Sequence, residues 1–151
     1  MKIAIVYTSI SGNTKEVAEL LFQQFYQEEN HVDLYSIHEF DLARMDEYDA
    51  LLIGTYTWGD GELPESMWPL YQRIEKEPFP SLITGVFGTG DCFYPKYCGA
   101  VDVMKDLLQT QTNLAVTLKI ELSPQLQDIG RCEAFVEKIV TRYHSKYIQL
   151  M

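Results

Sequence analysis

Residues 2–28 read KIAIVYTSISGNTKEVAELLFQQFYQE. The run Lys2 to Tyr7 has the length and apolar character of a buried strand. From Thr14 to Glu28 the spacing is helical, with Val17, Leu20, Leu21 and Phe25 on one face and Lys15, Glu19, Gln23 and Gln27 on the other. A strand, a short polar turn and an amphipathic helix make the first half of a βαβ unit. The pattern continues along the chain: strand-length runs at Val32 to Ser36, Ala50 to Gly54, Leu82 to Gly88 and Leu114 to Ile120 alternate with helical segments at Glu65 to Ile74, Gly99 to Thr110 and Arg131 to Tyr147. The stretch His38 to Tyr48 is read as a further helical segment, and the last helix is placed after Gly130, apolar at Phe135, Ile139 and Val140. Right-handed crossovers then predict an α/β fold, a three-layer doubly wound parallel sheet of five strands. Ile3, Ile5, Leu51, Leu52, Ile53, Val86 and Phe87 suit strands buried on both faces.

With 151 residues, 46% hydrophobic and 23% charged, the chain is expected to form one globular domain over residues 1–151. No run approaches the length of a membrane span, and Lys2 to Tyr7 is too short for a signal-peptide core and lacks a cleavage site, so a cytoplasmic protein is expected. Cys92, Cys98 and Cys132 form no C-x-x-C pair and are expected to be free thiols. A formal charge of -10 disfavours nucleic acid and anionic membranes and favours basic partners, although composition alone reads the acidity as a device for solubility.

In an open parallel sheet, ligands bind beyond the carboxyl ends of the strands, so the loops after strands one, three and four are read together. The first, Thr8-Ser9-Ile10-Ser11-Gly12-Asn13-Thr14, sets hydroxyls, an amide and a glycine at a helix N-terminus, where free N–H groups favour an anion. Without a Gly-Lys-Ser/Thr element it is no NTPase loop, and Lys15 is the nearest cation in sequence. By itself it equally suits a plain helix cap. The second, Thr55-Tyr56-Thr57-Trp58-Gly59-Asp60-Gly61-Glu62-Leu63-Pro64, offers Trp58 as a flat apolar surface, with glycines on either side of Asp60 that allow a peptide to turn over. A simple turn with a core tryptophan is its bland reading. The third, Gly88 to Gly99, adds a second aromatic at Tyr94 and backbone donors around Asp91 and Cys98, against the reading of a glycine-rich loop with surface tyrosines. Taken together, one loop suited to phosphate and two suited to ring faces imply a phosphorylated planar heteroaromatic ligand, for which riboflavin 5′-phosphate (FMN) is the economical choice.

These loops carry T-S-I-S-G-N-T, T-W-G-D-G-E-L-P and G-D-x-x-Y-x-x-x-C-G-A-V-D, in which the whole chain resembles the flavodoxin family. The resemblance implies the strand order 2-1-3-4-5, the known arrangement of flavodoxin itself, with FMN at the point where the order reverses. It assigns the phosphate to Thr8, Ser9, Ser11, Gly12, Asn13 and Thr14, with Thr55 as an extra hydroxyl, and counts Thr57 among the cofactor-binding residues. Trp58 covers the inner ring face and Tyr94 the outer, while main chain near Gly59, Asp91, Lys96 and Cys98 meets the polar ring edge. The roughly twenty-residue insertion of long-chain members has no room between Leu114 and Leu122, which implies a short-chain member. The chain departs from the expected pattern at Pro95 and Lys96, where acidic or aromatic residues are usual, and at the bulky Phe93.

The implied function is a low-potential one-electron carrier, not an enzyme. It serves the basic faces of partners such as flavodoxin/ferredoxin-NADP reductase and acceptor oxygenases or reductases, and is expected to be a monomer. A flavodoxin-like activator of ribonucleotide reductase is the alternative within the family. A receiver domain on the same fold needs an acidic pair after strand one, where this chain has Thr8 and Ser9, and a quinone reductase lacks its substrate loop here.

Overall fold

The computed structural model describes residues 1–28 and 30–149. In chain order it contains β1 (Lys2–Tyr7), α1 (Asn13–Gln27), β2 (His31–Ser36), a 3-10 turn (Leu42–Glu47), β3 (Ala50–Tyr56), a second 3-10 turn (Glu65–Met67), α2 (Trp68–Lys76), β4 (Phe79–Gly90), α3 (Gly99–Gln111), β5 (Thr112–Glu121) and α4 (Leu126–Gln149). The sheet order is β2-β1-β3-β4-β5 and every pairing is parallel, so all five carboxyl ends lie along one edge. The fold class and strand order expected from the sequence are those observed.

Side-chain alternation splits the core in two. Ala4, Val6, Leu51, Ile53 and Val86 point to the face covered by α2 and α3, while Ile3, Ile5, Leu52, Ile83 and Phe87 point to the face covered by α1 and α4. All ten are fully buried, and each large aliphatic among them contributes about 1.5–3 kcal/mol by leaving water. On α1 the residues Val17, Ala18, Leu21 and Phe25 are buried, with Leu20 at the margin. Among the described residues no helix is long and apolar enough to cross a membrane.

Four elements show the largest departures from the boundaries read in the sequence. The stretch His38 to Tyr48 forms only a short 3-10 turn, begun by Asp41, whose carboxylate accepts the Ala43 N–H at 3.0 Å. Helix α4 starts at Leu126 rather than Arg131 and runs through Gly130, which lies on an open face. The Asp128 carboxylate accepts the Gln125 N–H at 2.9 Å, the reach-back half of a capping box, and so opens the helix a turn and a half early. Strand β4 begins at Phe79 rather than Leu82, crossing a register shift against β5. The α-helix after loop two starts at Trp68, because Pro69 fits the first turn and the three residues before it wind as 3-10. The cysteines are free, Cys92 exposed and Cys98 and Cys132 buried.

The central strands approach closely where β3 carries glycine. A β-carbon on Gly54 would lie 2.3 Å from the Phe87 ring. Gly54→Ala is therefore expected to lower the unfolding free energy by about 1–3 kcal/mol through overpacking. Denaturant titration of Gly54→Ala, Phe87→Leu and the double variant checks this, since the two losses should be markedly less than additive.

Candidate functional site

The three loops read from the sequence meet at the carboxyl edge of β1, β3 and β4. Loop one caps α1 with Gly12, whose φ of +94° suits glycine, and no side chain caps the helix. The first intrahelical bond runs from the Glu16 N–H to the Gly12 carbonyl at 3.0 Å, which leaves the first-turn amides free for an anion. Hydroxyl pairs fasten this loop to its neighbours: Thr8 to Ser66 at 2.7 Å, and Thr14 to Thr89 at 2.8 Å in a buried setting. The Thr55 hydroxyl donates to the Tyr56 carbonyl at 2.7 Å.

Loop two is a tight hairpin. Trp58 and Glu62 exchange backbone hydrogen bonds of 2.9 and 2.7 Å, and Gly59, Asp60 and Gly61 form the tip. Gly59 has φ +51° and Gly61 φ +94°, both in the left-handed region. The tip rests on loop three through glycine, for a β-carbon on Gly99 would lie 2.7 Å from the Gly61 Cα and 2.8 Å from its carbonyl oxygen. Across the same seam the Thr57 hydroxyl accepts the Ala100 N–H at 3.2 Å, capping α3 from another loop.

Loop three turns at Asp91, whose carboxylate accepts the Phe93 N–H at 3.0 Å while its carbonyl accepts that of Tyr94 at 3.1 Å. Its end is fixed by Cys98, buried and left-handed at φ +49°, with the Gly99 N–H donating to the Lys96 carbonyl at 2.9 Å. Burial pushes the Cys98 thiol up to about 11 and the Tyr97 phenol up to about 12, so both are neutral at physiological pH. A hydrogen bond to Glu121 also raises the exposed Cys92 thiol.

Between loops two and three lies a cavity of about 440 Å³ bordered by Thr57, Gly59–Gly61, Gly90, Asp91, Tyr94–Lys96 and Cys98. A second cavity of about 220 Å³ shares Thr57, Gly90 and Asp91 with it and extends to Ser11, Asn13 and Leu122. Thr57, Gly59, Asp91, Tyr94, Lys96 and Cys98 thus line the first cavity, and Ser11 and Asn13 the one adjoining it. Thr8, Ser9 and Gly12 line a separate hollow beside Lys15 and His38. Thr14 and Thr55 are buried beneath the loops, and Trp58 stands beside the cavity, 57% exposed and absent from both linings. Sequence reading missed the partners that knit the loops, namely Ser66, Thr89, Ala100 and the Gly61–Gly99 contact, because each pairs residues far apart in the chain.

An uncapped helix terminus, a neutral hydroxyl-rich loop and a ring-sized slot at the topological switch point define a doubly wound α/β protein suited to a phosphorylated flat ligand. A family model described as flavodoxin matches residues 5–133. Probable flavodoxin 1 of Bacillus subtilis is 39% identical over 138 residues, covering 89% of this chain and 87% of its own. The structure of the flavodoxin of Streptococcus pneumonia TIGR4 superposes with a TM-score of 0.88 at 32% identity, covering 94% of this chain and 99% of that one. A short-chain flavodoxin associated with a non-canonical PDU bacterial microcompartment gives 0.89 at 27% identity, covering 95% and 99%. The chain belongs to the flavodoxin family, the FMN-binding flavoproteins of electron transport. The uninterrupted β5 is that of the short-chain form.

The glycine seam yields a test. Glycine to alanine inside a helix ordinarily gains about 1 kcal/mol. Gly99→Ala should instead destabilise the protein and weaken FMN binding about tenfold, because backbone must move to admit the methyl group. Thermal unfolding and quenching of FMN fluorescence measure the two effects.

Proposed function

We propose that the chain is a low-potential one-electron carrier using non-covalently bound FMN, its 151 residues acting as one FMN-binding domain. The observation that carries this reading is the continuity of the slot between loops two and three with the region of Ser11 and Asn13 at the uncapped start of α1. Thr8, Ser9, Ser11, Gly12, Asn13, Thr14 and Thr55 would hold the phosphate. Thr57, Trp58 and Tyr94, with main chain at Gly59, Asp91, Lys96 and Cys98, would hold the ring. When bound, FMN supplies the redox chemistry, accepting and releasing electrons singly.

The protein's own residues tune that chemistry. The Gly59 carbonyl, on a left-handed glycine at the hairpin tip, would be able to turn toward the ring and accept a hydrogen bond from it, a net gain of about 1 kcal/mol. Only the hairpin tip moves, since the bonds between Trp58 and Glu62 pin its base. Asp60, Glu62, Glu65 and Asp91 oppose negative charge on the ring. One such charge about 10 Å away at an effective dielectric near 20 costs about 1.7 kcal/mol, roughly 70 mV for one electron. The same acidity steers the ring edge toward basic faces of flavodoxin/ferredoxin-NADP reductase and of acceptor oxygenases or reductases. In this reading the protein is a cytoplasmic monomer without substrate turnover of its own.

Stepwise reduction of the purified holoprotein, followed in the visible spectrum, tests the function: two separate one-electron stages are expected, and one concerted two-electron step overturns it. Tyr94→Ala should weaken FMN binding about tenfold and shift both potentials, because the outer ring face opens to water. Unchanged affinity and unchanged couples would remove Tyr94 from its role. Gly59→Val, a β-branched residue forced toward positive φ, should narrow the gap between the two one-electron potentials, and an undiminished gap counts against the peptide turn.

A further inference from the structure

Three charged side chains line the larger cavity: Asp60, Asp91 and Lys96. Asp60 sits at the hairpin tip, and Asp91 is held on its turn by the Phe93 N–H. Lys96 is the cation of the three, and among the described residues it has no ion-pair partner within 4.0 Å. Its stem is nonetheless fixed. A β-carbon placed on Gly61 would fall 2.7 Å from Lys96 Cβ, 2.7 Å from its Cδ and 3.3 Å from its Cγ, so three stem carbons lie flat on that glycine. The Lys96 carbonyl is also tied down by the Gly99 N–H at 2.9 Å. The ammonium is therefore only two bonds beyond an anchored carbon, and no neighbouring carboxylate neutralises it.

We propose that the Lys96 side chain is a potential-setting residue. Its charge favours the anionic, fully reduced ring over the one-electron-reduced one and limits how far Asp60 and Asp91 depress the second one-electron potential. This rests on the FMN reading above. A single solvent-exposed charge of this kind, screened by water on one side, gives about a fivefold preference for the fully reduced ligand.

Lys96→Gln and Lys96→Glu both keep the three carbons that lie on Gly61 and differ from each other only in charge, while Lys96→Arg keeps the cation. Each holoprotein is titrated potentiometrically at neutral pH in low and high salt, with FMN affinity measured by fluorescence quenching. The second potential should fall in Lys96→Gln by the equivalent of about a fivefold loss of affinity for fully reduced relative to one-electron-reduced FMN. It should fall further in Lys96→Glu and stay near the parent value in Lys96→Arg, and high salt should compress the series. Equal second potentials in the parent, Gln and Glu proteins overturn the proposal. So does an equal shift in all three variants, which would assign the effect to the stem's packing on Gly61. If the parent chain fails to bind FMN in the fluorescence titration, the FMN reading itself falls and takes the proposal with it.

Discussion

The parallel pairing of β1, β3 and β4 is the constraint on which the site depends. Buried on both faces, these strands have no freedom to slide, because a shift of one residue would turn every core side chain to the wrong layer. The ladder continues past the end of β1, where the Thr8 N–H donates to the Gly54 carbonyl at 2.9 Å. Phe87 lies against Gly54 from the neighbouring strand, so the origins of loops one, two and three are set together. The loops themselves are then joined by contacts that only small or hydroxylated residues permit: Thr14 with Thr89, Thr8 with Ser66, and Gly61 with Gly99.

That hierarchy explains which features were legible in the sequence. Runs such as Ile3 to Val6 and Leu51 to Ile53 declare themselves because double-sided burial leaves no polar alternation to confuse. Helix α1 was equally clear, its buried and exposed faces falling at helical spacing. The start of α4 was misread because Gly130 looks like a stop, yet on an open helix face glycine costs only about 1 kcal/mol and the Asp128 cap outweighs it. His38 to Tyr48 carries apolar residues at Phe40, Leu42 and Met45, but the segment leaves β2 at the sheet edge and crosses past β1 to β3, burying Phe40 and Met45 in the core with a 3-10 turn in place of a full helix. At the site the loop compositions were readable, whereas the contacts between loops were not. The Thr14–Thr89 hydroxyl pair spans 75 residues and leaves no local signature.

Charge is distributed unevenly over the carboxyl edge. Around α1 the donors are neutral hydroxyls and backbone amides, with Lys15 lining the adjoining hollow. Such a set suits a phosphate through the helix terminus rather than by ion pairing. Between loops two and three the walls carry two carboxylates and one lysine, and burial pushes the Cys98 thiol among them further up. Charge on a ligand's ring is thus governed by groups at the rim, where solvent moderates each of them, and single substitutions there should change a redox balance by increments without removing the binding site.

The rim of the slot combines those charges with exposed aromatic rings. Phe93 is 91% exposed, Tyr94 63% and Trp58 57%, on loops that also carry Asp60, Glu62 and Asp91. Exposed aromatics cost solubility unless they serve a contact, and a chain of net charge -10 can carry them because self-repulsion keeps its copies apart. For the basic partner of the proposed function the sign would reverse: long-range attraction would bring it to the edge, and the rings would then exclude water over a small area. Charges that remain solvated at the rim raise the rate of encounter more than they hold the complex together. In the one-electron shuttle proposed above, which meets its redox partners in turn, a fast and short-lived contact of this kind would suit the exchange.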